Sequence, residues 1–487
     1  MERLGAASLR GLPATVRTPG YLDADLSIGI VHFGVGNFHR SHQAMYVDRL
    51  LAAGAHDWAI CGIGLLERDA RMRDALEGQD GLYTLAEREP DGTDRVSVIG
   101  SIRRFLHAPD DPAAVLEQLV DPGVRIVSLT VTEGGYVCDP TNGRLPQDDP
   151  LVVEEVAGGL ESPRTAFGWI VAALRERRAR GTAPFTVMSC DNIQGNGRVA
   201  RASVEGVARL VDPGLADWIA AEVAFPSTMV ARITPVTTQA DIDRVVAVLG
   251  VEDAWPVACE PFTQWVVEDV FVQGRPPLED VGALLVRDID PYEAIKLRLL
   301  NASHQALAYV GQLAGYTFVH EAVTDPRIAS YVRDYMEQEA VPTLEVPAGF
   351  DLAGYIDELF VRFGNPHVRD HLARLSVDAS NRIPKFLLPV LADAITAGTS
   401  GRVGASVVAT WRQWCRGVAE GRFEIDDVAA DALVAAAVQE PSAFLRDVPT
   451  LTPFLDSPTF VAEYLRAAEA LEQAGTEALL GAAPVRG

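Results

Sequence analysis

Ser27-Ile28-Gly29-Ile30-Val31-His32-Phe33 runs straight into Gly34-Val35-Gly36-Asn37-Phe38-His39-Arg40, and these fourteen residues decide how the first half of the chain reads. The first seven are apolar and β-branched enough for a buried strand, and the glycines after them permit a tight turn. Such a turn lets the backbone approach a pyrophosphate at the N-terminus of the following helix. Gly34, Gly36, Asn37, Phe38 and Arg40 are therefore candidate cofactor contacts. The third glycine of the usual G-x-G-x-x-G is missing, because His39 stands there. An ordinary glycine turn would look the same in isolation, so the surroundings carry the decision.

Outward from this point, a helix is expected over 41–53 and further strands over 58–65, 125–132 and 185–190. Residues 167–180 read as a helix stopped by Gly181. Strands alternating with helices imply a mostly parallel sheet covered on both faces, so the first part is α/β and dinucleotide-binding. In such a fold the second strand ends near an acidic residue that takes ribose hydroxyls. Glu67 or Asp69 stands there and favours NAD, while Arg71 and Arg73 close behind leave NADP open.

The pattern changes near Pro291. Apolar residues then recur at helical spacing through 293–315, 328–339, 351–363, 384–397, 404–421 and 457–474. The chain divides accordingly into an α/β domain, 1–288, and an all-α domain, 289–487, with the break in periodicity at 286–291. A site shared by both is expected in the cleft between them.

Bulk properties exclude several classes. With 67 acidic against 42 basic residues, the formal charge of −25 disfavours nucleic acid and anionic membrane surfaces as partners. No apolar run reaches the roughly 18–20 residues of a spanning helix, and the first fifteen residues lack a secretion-signal layout. Cys61, Cys138, Cys190, Cys259 and Cys415 include no C-x-x-C pair. They read as small buried hydrophobes in a chain of the reducing cytoplasm, without disulfides or structural zinc. His39-x-x-His42 and His367-x-x-x-His371 have no third ligand at metal spacing, so no metal is expected.

The chemistry is concentrated in 291–309, PYEAIKLRLLNASHQALAY. Lys296 sits among Ile295, Leu297, Leu299 and Leu300. On an α-helix Lys296, His304 and Asn301 fall at roughly 0°, 80° and 140°, which places them on one side. A lysine normally titrates near ~10.4, so only burial or a neighbouring positive charge would make it a base at neutral pH. Asn301, together with Asn192 in Ser189-Cys190-Asp191-Asn192, would supply amide donors to a developing alkoxide. The plain alternative is a surface lysine with asparagines in caps and turns.

Beyond these residues the chain resembles the polyol-specific long-chain dehydrogenases, the mannitol 2-dehydrogenase family. The matching segments are HFGVGNFHRSHQA at 32–44, TVTEGGY at 130–136, SCDNIQGNG at 189–197, FPSTMVARITP at 225–235 and KLRLLNASH at 296–304. The resemblance implies an extended Rossmann domain followed by a helical one, acting without zinc, and it leans to a monomer. It makes Lys296 the general base, Asn192 and Asn301 the oxyanion pair, and His304 the group that orients substrate hydroxyls. It places Arg374 against the substrate and Glu293 on the proton path, with Glu133 bordering the site.

The implied reaction is reversible, NAD-dependent oxidation of a sugar alcohol to a ketose, D-mannitol to D-fructose first, then D-arabinitol and D-sorbitol. One departure bears on substrate. The family commonly reads MVDRITP, with the aspartate on the polyol, and here Ala231 and Arg232 follow Met229-Val230. Losing a charged hydrogen-bond partner removes about 1.5–3 kcal/mol of preference for one hydroxyl, so a shifted or looser substrate range is expected. The family also holds hexuronate reductases such as fructuronate reductase, for which Arg232 or Arg374 would grip the carboxylate. A phosphosugar or β-hydroxyacid dehydrogenase would need a basic cluster, and near Lys296 only Arg298 is available. A nucleotide-binding protein without turnover is the reading outside enzymes.

Overall fold

The structure, a computed structural model, describes residues 2–136 and 149–481, and Cys138 lies outside them. The chain separates into two compact units between Asp290 and Pro291. In the first unit the strands are β1 (Ile28–Phe33), β2 (Ala59–Gly64), β3 (Tyr83–Arg88), β4 (Asp94–Ile99), β5 (Ile102–His107), β6 (Ile126–Leu129), β7 (Thr186–Ser189), β8 (Thr228–Ala231), β9 (Val257–Cys259), β10 (Gln264–Glu268) and β11 (Leu284–Val286).

Five of them form one parallel sheet in the order β5-β2-β1-β6-β7. Side chains alternate along a strand, so neighbours serve opposite faces. Val31, Phe33, Cys61, Ile63, Val127, Leu129 and Val187 enter one core, closed by the helices Pro112–Val120, Ala166–Arg180 and Asn196–Val211. Ile30, Ile60, Ile102, Ile126 and Met188 enter the other, closed by the helix Gln43–Ala52. Burial on both faces explains why β1 and β2 read as continuous apolar runs. The chain fills the sheet on one side of β1 and then crosses to β6 and β7. The carboxyl ends of β1 and β6 therefore flank the switch point where ligands bind in such sheets.

Two small three-stranded sheets, β4-β3-β9 and β11-β10-β8, went unread in the sequence. Their strands are three to six residues long, and charges such as Glu87, Arg88, Asp94 and Arg95 interrupt the alternation. The helix expected at 41–53 begins earlier, at Asn37, and is broken at His42, where φ is −116° and ψ −93°. Gly181 ends Ala166–Arg180 in the left-handed conformation, as expected for a C-terminal glycine.

The second unit is helical. Arg402–Ala419 and Pro458–Ala474 line a core that includes Tyr309, Trp411, Trp414, Phe460 and Tyr464. Asp351 and Ser457 cap Leu352–Phe363 and Pro458–Ala474 through their side-chain oxygens. The helix expected over 384–397 is two, Ala379–Phe386 and Leu388–Thr396. Those expected over 293–315 and 328–339 each contain a π turn, Lys296–Asn301 and Tyr335–Ala340. Among the described residues no helix is long and apolar enough to cross a membrane.

Candidate active site

The loop after β1 separates two kinds of glycine. Gly34 has φ +93°, and a Cβ there would sit 2.1 Å from the Thr130 carbonyl oxygen, so the fold itself requires it. Gly36 is exposed, and a Cβ on it would meet nothing closer than the Gly34 oxygen at 3.9 Å. The space in front of Gly36 is thus open to a ligand rather than filled by the chain, which fits a pyrophosphate. Gly62 on β2 makes room behind the loop, since a Cβ there would lie 2.6 Å from Val35 Cγ2. Where the third glycine is missing, the fully buried His39 stacks on His32 with centroids 3.5 Å apart. Gly36→Val is expected to leave the melting temperature nearly unchanged. It should raise the Kd for NADH at least about tenfold, roughly 1.4 kcal/mol, measured by nucleotide fluorescence.

Among the other expected cofactor contacts, Arg40 needs correction. Arg40 is fully buried, donating to the Trp255 carbonyl and to Asn37 Oδ1 at 2.8 Å, so it braces the loop from behind. Desolvation lowers its guanidinium to about 10, opposed by Tyr83 and Asp253. The Asn37 amide donates to Thr237 Oγ1 at 3.3 Å and the Pro235 carbonyl at 3.4 Å, so its side chain is held within the fold. Phe38 is half-buried against His42. Asp69 accepts the Leu65 and Leu66 N–H groups at 3.0 and 2.9 Å and shapes the turn after β2, whereas Glu67 is exposed. Of the two ribose candidates, Glu67 is the one presented to solvent. Arg73 is held by Asp74 and Asp110, and Arg71 lies over the Trp255 ring at 5.1 Å.

Asn192 is exposed in the turn after β7. The backbone of Glu133 lies in the short 3₁₀ turn Glu133–Gly135 after β6, and its side chain is outside the described part. Ala231 ends β8, buried opposite Gln264. The carboxylate-gripping role considered for Arg232 is overturned. Its buried guanidinium donates to the Glu260 carbonyl at 3.0 Å and the Ser41 carbonyl at 2.6 Å, and it pairs with Glu87.

In the second unit, Lys296 opens the π turn and Asn301 closes it. Hydrogen bonds from i to i+5 bring residues five apart round to nearly the same side, so the α-helical separation of 140° does not hold. The π turn groups Lys296 and Asn301 more closely than the spacing implied. Lys296 is 7% exposed, among buried Ile295, Leu299 and Leu300. Burial lowers its ammonium to about 8, against the charge of buried Glu293 and with that of Arg362. Arg298 turns away, its guanidinium on Asp393 at 2.6 Å and on the Thr343 carbonyl at 3.2 Å.

His304 packs on Phe363 with centroids 5.1 Å apart, and burial pushes it down to about 3, so it is neutral at physiological pH. Its Nε2 is buried with no hydrogen-bond partner among the described residues. Arg374 is clamped by Asp370 through two hydrogen bonds of 2.6 Å, which orient the guanidinium while half of the side chain stays exposed. Neither Asp370 nor Arg362 was singled out in the sequence.

The histidine pairs have other occupations. His42 Nε2 meets the Gln264 carbonyl at 2.9 Å, and His371 packs on Phe318 with centroids 4.4 Å apart. Residues 365–371 are not helical, so His367 and His371 do not share a helix face. Among the described residues no group of three or more His, Cys, Asp or Glu is gathered as for a metal ion. Cys61, Cys190, Cys259 and Cys415 are buried free thiols, and burial pushes the first three up to about 12.

Comparison with known proteins matches both units of the fold. Residues 28–280 match the mannitol dehydrogenase Rossmann domain and 288–472 the mannitol dehydrogenase C-terminal domain. The chain is 43% identical to a mannitol 2-dehydrogenase of Phaeosphaeria nodorum, over 96% of this chain and 83% of that protein. The Pseudomonas fluorescens mannitol 2-dehydrogenase, solved as a ternary complex with NAD and D-mannitol, superposes with a TM-score of 0.87 at 42% identity, covering 98% of each chain. A D-sorbitol dehydrogenase in substrate-free form superposes at 0.91 with 36% identity, over 99% of this chain and all of that one. With both family domains matched in order along most of its length, the chain belongs to the mannitol dehydrogenase family.

Proposed function

We propose that the chain is an NAD-dependent polyol dehydrogenase, oxidising a secondary alcohol of a sugar alcohol to a ketose, D-mannitol to D-fructose first. The observation that carries the reading is Lys296: a buried lysine in a π turn, lowered to about 8, on the same turn as an amide donor. Bound NAD would accept the hydride from the carbinol carbon. Lys296 Nζ takes the hydroxyl proton, which needs a neutral amine at working pH. Asn301 and Asn192 donate to the oxygen as its negative charge grows. Neutral His304, whose buried Nε2 has no partner among the described residues, and Arg374, oriented by Asp370, bind the remaining hydroxyls. Glu293, buried one turn before Lys296, passes the proton outward.

D-Sorbitol is the second substrate to test, because a sorbitol dehydrogenase is among the relatives that superpose over the whole chain. The hexuronate reading is weakened, since Arg232 is occupied within the fold. Ala231 supports a substrate range shifted from that of relatives with aspartate there. Ala231→Asp is expected to change the rate ratio of mannitol to sorbitol by about tenfold or more, the worth of one charged hydrogen bond. An unchanged ratio across a polyol panel would remove Ala231 from the specificity argument.

The test of the function is reduced-nicotinamide formation with NAD or NADP, chelator present, across mannitol, sorbitol, arabinitol, xylitol and ribitol. Chelator-resistant turnover that disappears in Lys296→Ala is the expected result. No turnover on any polyol with either cofactor, together with fructuronate reduction by NADH, would overturn the polyol assignment.

A further inference from the structure

We infer that Asp191 is a positioning residue of the reaction, holding the strained turn after β6 and, through its own anchored backbone, setting the place of Asn192. The inference rests on the dehydrogenase reading above. The loops at the carboxyl ends of neighbouring β1, β6 and β7 are tied in series. Thr130 links the first two, its hydroxyl donating to the Gly34 carbonyl at 2.7 Å and lying 2.9 Å from His32 Nε2. Asp191 links the second to the third. Its carboxylate accepts the Val131 N–H at 3.1 Å, the Thr132 N–H at 2.8 Å and the Tyr136 hydroxyl at 2.9 Å.

Thr132 is the reason this grip matters. Its φ is +64°, a left-handed conformation that a β-branched residue holds only where its surroundings over-determine it. A carboxylate receiving two successive backbone N–H groups does so. Residue 191 is itself fixed at both backbone ends. Its N–H donates to Ser189 Oγ at 3.2 Å, and its carbonyl accepts Asn196 Nδ2 at 2.9 Å. Asn196 is tied in turn to Thr228, donating to its carbonyl at 2.8 Å and accepting its N–H at 2.9 Å. Asn192, exposed on the next residue, inherits its placement from residue 191 as a whole, whose backbone is held by Ser189 and Asn196 and whose side chain is held by the Val131 and Thr132 N–H groups and the Tyr136 hydroxyl. Asparagine at 191 would offer one acceptor where the turn needs two, so charge and geometry both call for aspartate.

A double-mutant cycle separates positioning from plain stability. Asn192→Ala is expected to lower kcat about 10²-fold and Asp191→Asn at least about tenfold, each with NADH affinity retained. In the Asn192→Ala background, Asp191→Asn should cost less than about twofold, because its effect runs through a group already gone. An undiminished tenfold loss in that background overturns the inference, since general destabilisation would act alike in both. Wild-type kcat in Asn192→Ala overturns it together with the role of Asn192, while Lys296→Ala reports separately on whether the chain is a dehydrogenase. Should Asp191→Asn fail to fold, Tyr136→Phe removes one of the three hydrogen bonds. A loss of about threefold in wild type and none beside Asn192→Ala supports the inference, and equal losses in both overturn it.

Discussion

Lys296→Ala is expected to lower kcat for polyol oxidation by about 10³–10⁴-fold and to leave NADH binding within about twofold of wild type. The size follows from what a lysine must overcome to act as a base. In water nearly all of it is protonated at neutral pH, but in the second unit burial outweighs the charge of Glu293 and brings it to about 8. On the proposed role, removing the side chain would remove the proton acceptor and leave cofactor binding in place. The pH profile gives the sign. Oxidation needs the neutral amine, so its rate should climb through about pH 8 and then level. Ketose reduction needs the ammonium, so its rate should hold below that pH and fall above it. Both limbs should be missing from the residual activity of Lys296→Ala. The variant should also melt no lower than wild type near neutral pH, because the buried ammonium is disfavoured there. A variant that keeps the limb near pH 8 at a tenth or more of wild-type rate would assign the base elsewhere.

The parts of the fold legible in sequence are those where one physical signal dominates. β1, β2, β6 and β7 are buried on both faces and read as apolar runs, and Gly181 marks its helix end by its left-handed conformation. The two small sheets were not legible, because short strands carrying charges give neither a run nor a clean alternation. In the candidate site, residue type pointed to Lys296, Asn301 and His304, but the spacing assumed a regular α-helix and the π turn changes it. Arginine identity misled twice. Arg40 and Arg232 look like ligand-binding cations in a string of letters, whereas both are buried with carbonyl or carboxylate partners from distant segments. Asp370 and Asp191 were missed for the converse reason: an aspartate that organises a loop has no local signature until the backbone it binds is in place.

Asn301→Ala is expected to cost about 10²–10³-fold in kcat, the measured worth of one oxyanion donor in other enzymes, with the pH limb near 8 unmoved. The unmoved limb distinguishes it from any variant that disturbs Lys296. Asn301 lies at the end of the π turn and is itself buried, which would limit the reorganisation its amide needs as charge develops on the substrate oxygen. An interaction made mainly with that charge lowers kcat and kcat/KM together and leaves KM for the polyol nearly constant. A purely ground-state contact would raise KM and leave kcat alone. The π turn gives a reason to expect the first pattern. In an α-helix the same two residues would share a side only loosely, 140° apart by the regular angle per residue. The wider turn brings Lys296 and Asn301 closer round to one side, and the Tyr335 hydroxyl, from the neighbouring π turn, donates to its Arg298 carbonyl at 3.4 Å. If Asn301→Ala instead raised KM with kcat intact, the wider turn would serve substrate binding alone, and stabilisation of the alkoxide would fall to Asn192.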